Sequence, residues 1–67
     1  MSEGNEWDDL AGLSAPARRA LTNAGYTRLV ELANVSGGEV KQLHGMGPKA
    51  FEALCRHLAE RGLAFAD

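Results

Sequence analysis

The stretch LHGMGPKAF, Leu43 to Phe51, sets two glycines, a proline and a lysine within five positions, directly ahead of apolar residues at helical spacing, Phe51, Leu54 and Leu58. A helix ending at Leu43 and another starting at Pro48 leave room only for a tight hairpin. The sequence therefore predicts positive φ at Gly45 and Gly47, with Met46 turned inward as an apolar plug. Pro48 has no N–H to leave unpaired and suits the first helical position. The opening amides of a helix lack partners within it and lie at the positive end of its dipole. The amides of Met46, Gly47, Lys49 and Ala50 are then placed to donate to an anionic oxygen, and the Lys49 ammonium adds mobile charge. A lysine in the first turn opposes the dipole, an arrangement that makes sense when an anion is bound. The chemistry this predicts is phosphate capture. The plain alternative is a simple helix connection with Lys49 solvated.

Other reactive residue types are sparse. His44, Cys55 and His57 are the only imidazole and thiol groups, fewer than the four ligands a zinc site usually takes, so no metal and no cofactor is expected. Cys55 reads as a core residue, His57 as a boundary residue, and His44 as a loop residue within reach of a bound phosphate. Ser14 and Ser36 read as helix caps, and no acid/base pair has an enclosing pocket, so catalysis is not expected. Arg18 and Arg19 lie on the polar side of the first long helix, either solvated or extending the positive surface of the hairpin. Trp7 reads as a core anchor rather than a stacking platform for bases.

Sixty-seven residues make one domain whose core supplies only about 3–5 kcal/mol of net stability, too little structure for a deep cleft. Cys55 is alone, so no internal disulfide forms and a reducing, cytoplasmic setting fits. No apolar run reaches the roughly 20 residues that span a bilayer, and the acidic start has no signal-peptide pattern, so no membrane partner is expected. The net charge of −2 is uneven: Glu3, Glu6, Asp8 and Asp9 precede Leu10, after which 7 basic residues face 5 acidic ones. That leaves a mild basic bias over the folded part.

The elements that must position these groups read as helices throughout, since no stretch alternates β-branched residues. Residues 1–6 read as a disordered acidic tail and 7–67 as the folded domain, with Trp7 and Leu10 starting a short helical turn. Ser14 caps a helix presenting Ala17, Ala20, Leu21 and Ala24, which Gly25 ends. A second helix runs from about Thr27 to Asn34. Ser36-Gly-Gly-Glu39 has capping-box spacing and starts a short third helix, the serine oxygen accepting from the Glu39 amide. The fourth helix runs from Pro48 to Gly62 with Phe51, Leu54, Cys55 and Leu58 on its inner face and Glu52, Arg56 and Glu60 outside. A shift of 22 residues superposes Ser14 on Ser36, Leu21 on Leu43, Gly25 on Gly47, Leu29 on Phe51 and Leu32 on Leu54. This reads as two helix-turn-helix units of one design, although a chain rich in Leu and Ala produces some such matches by chance.

Leu43, Gly45, Met46, Gly47 and Lys49, followed by Phe51 and Leu54, resemble the helix-hairpin-helix motif of nucleic-acid-binding proteins. Over a longer span, Asp9 to Phe65, the chain resembles the C-terminal domain of the bacterial RNA polymerase α subunit, through LAGLSAPARRAL, AGYTRLVELA, LHGMGPKAFEAL and HLAERGLAF. The resemblance implies an all-α SAM-like bundle of four to five short helices that binds the DNA minor groove and touches transcription factors. Gly47 and Lys49 match the family's backbone-approaching glycine and phosphate-contacting lysine. Pro16 stands where the family has its minor-groove arginine, Arg19 where it has an asparagine, and Ala50 and Ala53 where it has a serine and a glutamate.

The function expected is a small non-catalytic DNA-binding module docking on duplex phosphates through Gly45, Met46, Gly47, Lys49 and Ala50, with Arg18 and Arg19 nearby. The second expectation is an adaptor that docks on a protein partner of the transcription or repair machinery.

Overall fold

The indole of Trp7 explains how so short a chain holds together. It is fully buried, and its Nε1–H donates to the Tyr26 carbonyl at 2.8 Å, so the largest side chain in the core leaves no polar atom unpaired. Around it pack Leu13, Leu21, Leu29, Leu32, Val40, Leu54 and Leu58, all buried. Each such side chain contributes about 1.5–3 kcal/mol on leaving water.

The computed structural model describes residues 6–66. These form an all-α bundle in the order: a 3-10 turn (Glu6–Asp9), α1 (Ala15–Asn23), a second 3-10 helix (Leu29–Asn34), α2 (Gly37–Lys41) and α3 (Pro48–Glu60). No strand occurs among the described residues. Among the described residues, no helix is long and apolar enough to cross a membrane. The longest helix, α3, packs on both the second 3-10 helix and α2.

Helix α1 starts where the sequence places it, with the Ser14 hydroxyl accepting from the Ala17 amide at 3.3 Å. Helices α1 and α3 end in the same Schellman geometry. Gly25, at φ +97°, donates to the Thr22 carbonyl while Tyr26 donates to that of Leu21. Gly62, at φ +73°, donates to Ala59 while Leu63 donates to Leu58.

Several elements differ from expectation. The helix expected over Thr27 to Asn34 is a 3-10 helix from Leu29 to Asn34, because Glu31 Oε1 accepts from the amides of Thr27 (2.9 Å) and Arg28 (3.4 Å) and keeps them out of the helix. Ser36 Oγ accepts from Gly38 at 3.2 Å, and the Glu39 amide goes to the Ser36 carbonyl, which tightens the turn and displaces the capping-box pairing. Cys55 is exposed, because the inner face of α3 turns Ala50 and Ala53 inward beside Leu54 and Leu58. Phe51 is half-buried and stacks on Phe65 with ring centres 5.2 Å apart, and Lys41 Nζ lies 5.5 Å from the Phe51 ring centre. The Ala66 amide, donating to Val35 at 2.9 Å, holds the C-terminal segment in that position.

The 22-residue repeat survives in part. Ser14 and Ser36 both cap, and Leu32 and Leu54 are both fully buried. The helices they belong to differ in length, and Gly25 at φ +97° falls on Gly47 at φ −90°, so the hairpins do not repeat in detail.

Of the expected tail, Met1–Asn5 lie outside the described residues, whereas Glu6 belongs to the fold. Its amide donates to Thr27, its carboxylate accepts from the Leu29 amide at 2.6 Å, and its second oxygen lies 3.8 Å from Arg61. Glu6→Ala leaves the Leu29 amide without its acceptor and is expected to lower stability by about 1–2 kcal/mol in urea unfolding followed by Trp7 fluorescence. Glu6→Gln, which keeps an acceptor oxygen, is expected to lose less than half of that.

Candidate nucleic-acid interface

The connection from α2 to α3 spans residues 42–47, and one backbone approach shapes it. Gly45 adopts φ +99°, and a Cβ placed on it would lie 2.9 Å from the Pro16 carbonyl oxygen. Only a residue without a side chain permits both the conformation and the approach. The contact sets the hairpin against the first turn of α1. Gly12, at φ +91°, brings the preceding loop against α3, where a Cβ would meet that of Ala53 at 2.8 Å.

Gly47 behaves differently from expectation. Its φ is −90°, it is the N-cap of α3, and open space surrounds the place where its Cβ would be. Its lack of a side chain keeps the approach to α3 clear and is not demanded by the turn. Met46 is half-buried and packs on the core, as an inward plug should. Its amide, however, donates to the Leu43 carbonyl at 3.0 Å, so the turn consumes a donor that the sequence reading left free. The amides of Gly47, Lys49 and Ala50 have no partner among the described residues; the next one, from Phe51, returns to the Gly47 carbonyl. Ala50 is a buried residue whose side chain packs in the core.

The start of α3 differs from those of α1, α2 and the second 3-10 helix. Ser14 caps α1, Ser36 caps α2, and the carboxylates of Glu31 and Glu6 serve the second 3-10 helix. No side chain caps α3, and no acidic residue stands in its first turn. The first turn of α1 also lacks an acid, while both 3-10 helices and α2 carry one or more.

Two open grooves flank the Gly45–Pro16 contact. The larger, about 540 Å³, lies between the two helix starts: Ser14 and Pro16 on one side, Gly47, Pro48, Lys49 and Ala50 on the other, with Gly12 and Gly45 completing it. The smaller, about 260 Å³, is lined by Pro16, Arg19, Ala20, Asn23, His44 and Gly45. Neither lining contains an acidic side chain.

The basic residues divide sharply. Arg18 is engaged within the fold: its guanidinium donates to the Leu13 carbonyl at 2.8 Å and pairs with Asp8 at 3.4 Å. Arg61 turns to the His57 carbonyl and Glu6, and Lys41 to Phe51. Arg19 and Lys49 are exposed, border the grooves and have no partner among the described residues. His44 is exposed in the smaller groove, whereas His57 Nε2 lies 2.8 Å from the Ala11 carbonyl and tethers the loop before α1 to α3. Asn23 escaped the sequence reading. Its only signal there is its helical spacing from Arg19 on the same face of α1.

No protein-family model matches this chain, and neither comparison with known proteins nor comparison with solved structures finds a match.

The two hairpin glycines should respond differently to a methyl group. Gly45→Ala meets both the left-handed backbone and the Pro16 carbonyl and is expected to cost roughly 1–3 kcal/mol in thermal or urea unfolding. Gly47→Ala meets neither and is expected to cost under about 1 kcal/mol, the difference between the two residues at an N-cap.

Proposed function

We propose that this chain is a small non-catalytic DNA-binding module that docks on the phosphate backbone of a duplex at the start of α3. The observation that carries this reading is the uncapped, acid-free start of the longest helix, with the Gly47, Lys49 and Ala50 amides unpartnered and Lys49 beside them. At the starts of α1, α2 and the second 3-10 helix, side-chain oxygens accept from open amides; here a phosphate oxygen would take their place. Its charge also removes the conflict between Lys49 and the helix dipole.

The likeness to the RNA polymerase α C-terminal domain supports the same surface and limits what passes to this chain. Pro16, at the position of the family's groove-reading arginine, packs its carbonyl under Gly45. Ala50 and Ala53, at the positions of the family's serine and glutamate, are buried, Ala53 beneath Gly12. With those polar contacts gone, the module we propose grips the backbone with little sequence preference. The transcription-factor contacts of that family motivate the second reading, a protein adaptor, which the net charge of −2 favours.

Addition of a short duplex at low salt is expected to shift the amide signals of Gly47, Lys49 and Ala50, with a Kd of about 10⁻⁴–10⁻⁶ M. Log K should fall with log salt at a slope of roughly −0.9 for each phosphate engaged. Lys49→Glu is expected to abolish the shifts while leaving the rest of the amide spectrum in place. A hairpin that stays silent at saturating duplex leaves the adaptor reading, which capture from the native host after nuclease treatment would support.

A further inference from the structure

The first turn of α3 carries the unpartnered amides, and part of what holds that turn comes from the far end of the chain. Phe51 closes the turn, its amide donating to the Gly47 carbonyl at 3.0 Å. Helix α2 begins and ends against the Phe51 ring: a Cβ on Gly37 would lie 3.4 Å from Phe51 Cζ, and Lys41 Nζ lies 5.5 Å from the ring centre. Phe65 stacks on the same ring, centres 5.2 Å apart and planes 4° from parallel, and its Cγ would lie 3.4 Å from that Gly37 Cβ. One side chain therefore packs on the first residue of α2 and on the first turn of α3, the two helices that the hairpin joins. Its segment is anchored on either side. Leu63 donates to the Leu58 carbonyl at 2.8 Å, and Ala66 donates to the Val35 carbonyl at 2.9 Å, just ahead of α2. Neither groove is lined by Gly37, Phe51 or Phe65, so this strap bears on the hairpin and not on what the hairpin would bind.

We infer that Phe65 is a positioning residue for phosphate capture: stacked on Phe51 and packed on Gly37, it fixes α2 against α3 and so presets the hairpin between them. This rests on the DNA-backbone reading above. Helix α2 is five residues long, too short to hold its place through its own hydrogen bonds, so the surface it packs on decides where the hairpin begins. A parallel aromatic pair contributes beyond the area it buries and favours one relative placement of its rings. When the binding-ready arrangement is populated only in part, affinity falls by that fraction although no contact to the ligand is lost.

The test uses the full chain with Phe65→Ala, Phe65→Leu and Phe65→Tyr, a short duplex, fluorescence anisotropy across a salt series, and amide exchange of the free proteins. Glu6→Ala is the control, a destabilising change at the opposite end of the chain. Phe65→Ala is expected to weaken binding about fivefold, as a fall of the ready fraction to about one fifth would. Its salt slope should stay that of the unaltered chain, because no phosphate contact is removed. The Met46 and Phe51 amides should exchange about tenfold faster or more, while those of Leu54 and Leu58 change less. Phe65→Tyr, which keeps the stack, should bind within about twofold of the unaltered chain, and Phe65→Leu should fall between Tyr and Ala. If Phe65→Ala does not fold, the comparison of Leu with Tyr decides. Unaltered affinity in Phe65→Ala or Phe65→Leu overturns the inference and spares the DNA reading. A reduced salt slope also overturns it, since that marks a lost phosphate contact, and so does an equal weakening in Glu6→Ala, which marks general loss of stability. If the unaltered chain binds no duplex, the DNA reading falls and this inference with it.

Discussion

The absent side chain at Gly45 is the constraint on which the candidate surface depends. At φ +99°, with Pro16 carbonyl oxygen so close that a methyl group would sit 2.9 Å from it, the hairpin has one way to lie against α1. That seating aligns the starts of two helices formed in separate parts of the chain, and both grooves are built from the contact outward. Gly12 makes the equivalent approach to Ala53 on α3, so the loop before α1 is fixed from its other end. The His57 bond to Ala11 holds the same loop. In a core this small, such backbone approaches take over positioning that larger domains assign to extra layers of side chains.

Charge is arranged around that geometry with some economy. Acidic residues serve the start of the second 3-10 helix, where Glu6 and Glu31 accept from otherwise open amides, and they occupy the first turn of α2. They are missing from the starts of α1 and α3, which face each other across the larger groove. Arg18 and Arg61 pair with Asp8 and Glu6, so much of the formal basic bias is spent within the fold. What remains near the hairpin is Arg19 and Lys49, a small charge whose effect in water depends strongly on salt. A net charge of −2 therefore says less about this surface than the location of two cations does.

Much of this was legible in the sequence, for identifiable reasons. Ser14, Gly25, Pro48 and Gly62 mark helix ends through local chemistry, and local chemistry is what spacing encodes. The all-α architecture and the burial of Trp7 followed from periodicity and side-chain size. What escaped depends on partners distant in the chain. Glu6 caps Leu29, His57 meets Ala11, and Phe65 stacks on Phe51, and no spacing rule announces any of them. Gly47 shows a subtler limit: two glycines in one turn look equivalent, but only the one pressed against Pro16 takes the left-handed backbone. The Met46 amide was lost to the turn for the same reason, because its use depends on how the hairpin closes. Arg18 and Arg19 are neighbours in sequence, and only the positions of Leu13 and Asp8 decide which one is free.

Amide hydrogen exchange, residue by residue, with and without saturating duplex DNA, decides whether the start of α3 holds a phosphate. Rapid exchange is expected at Gly47, Lys49 and Ala50 in the free protein, with protection at all three in the complex and no change at Met46, whose amide is already bonded to Leu43. Protection of the three amides before DNA is added, or unaltered exchange once the duplex is bound, would contradict phosphate capture there.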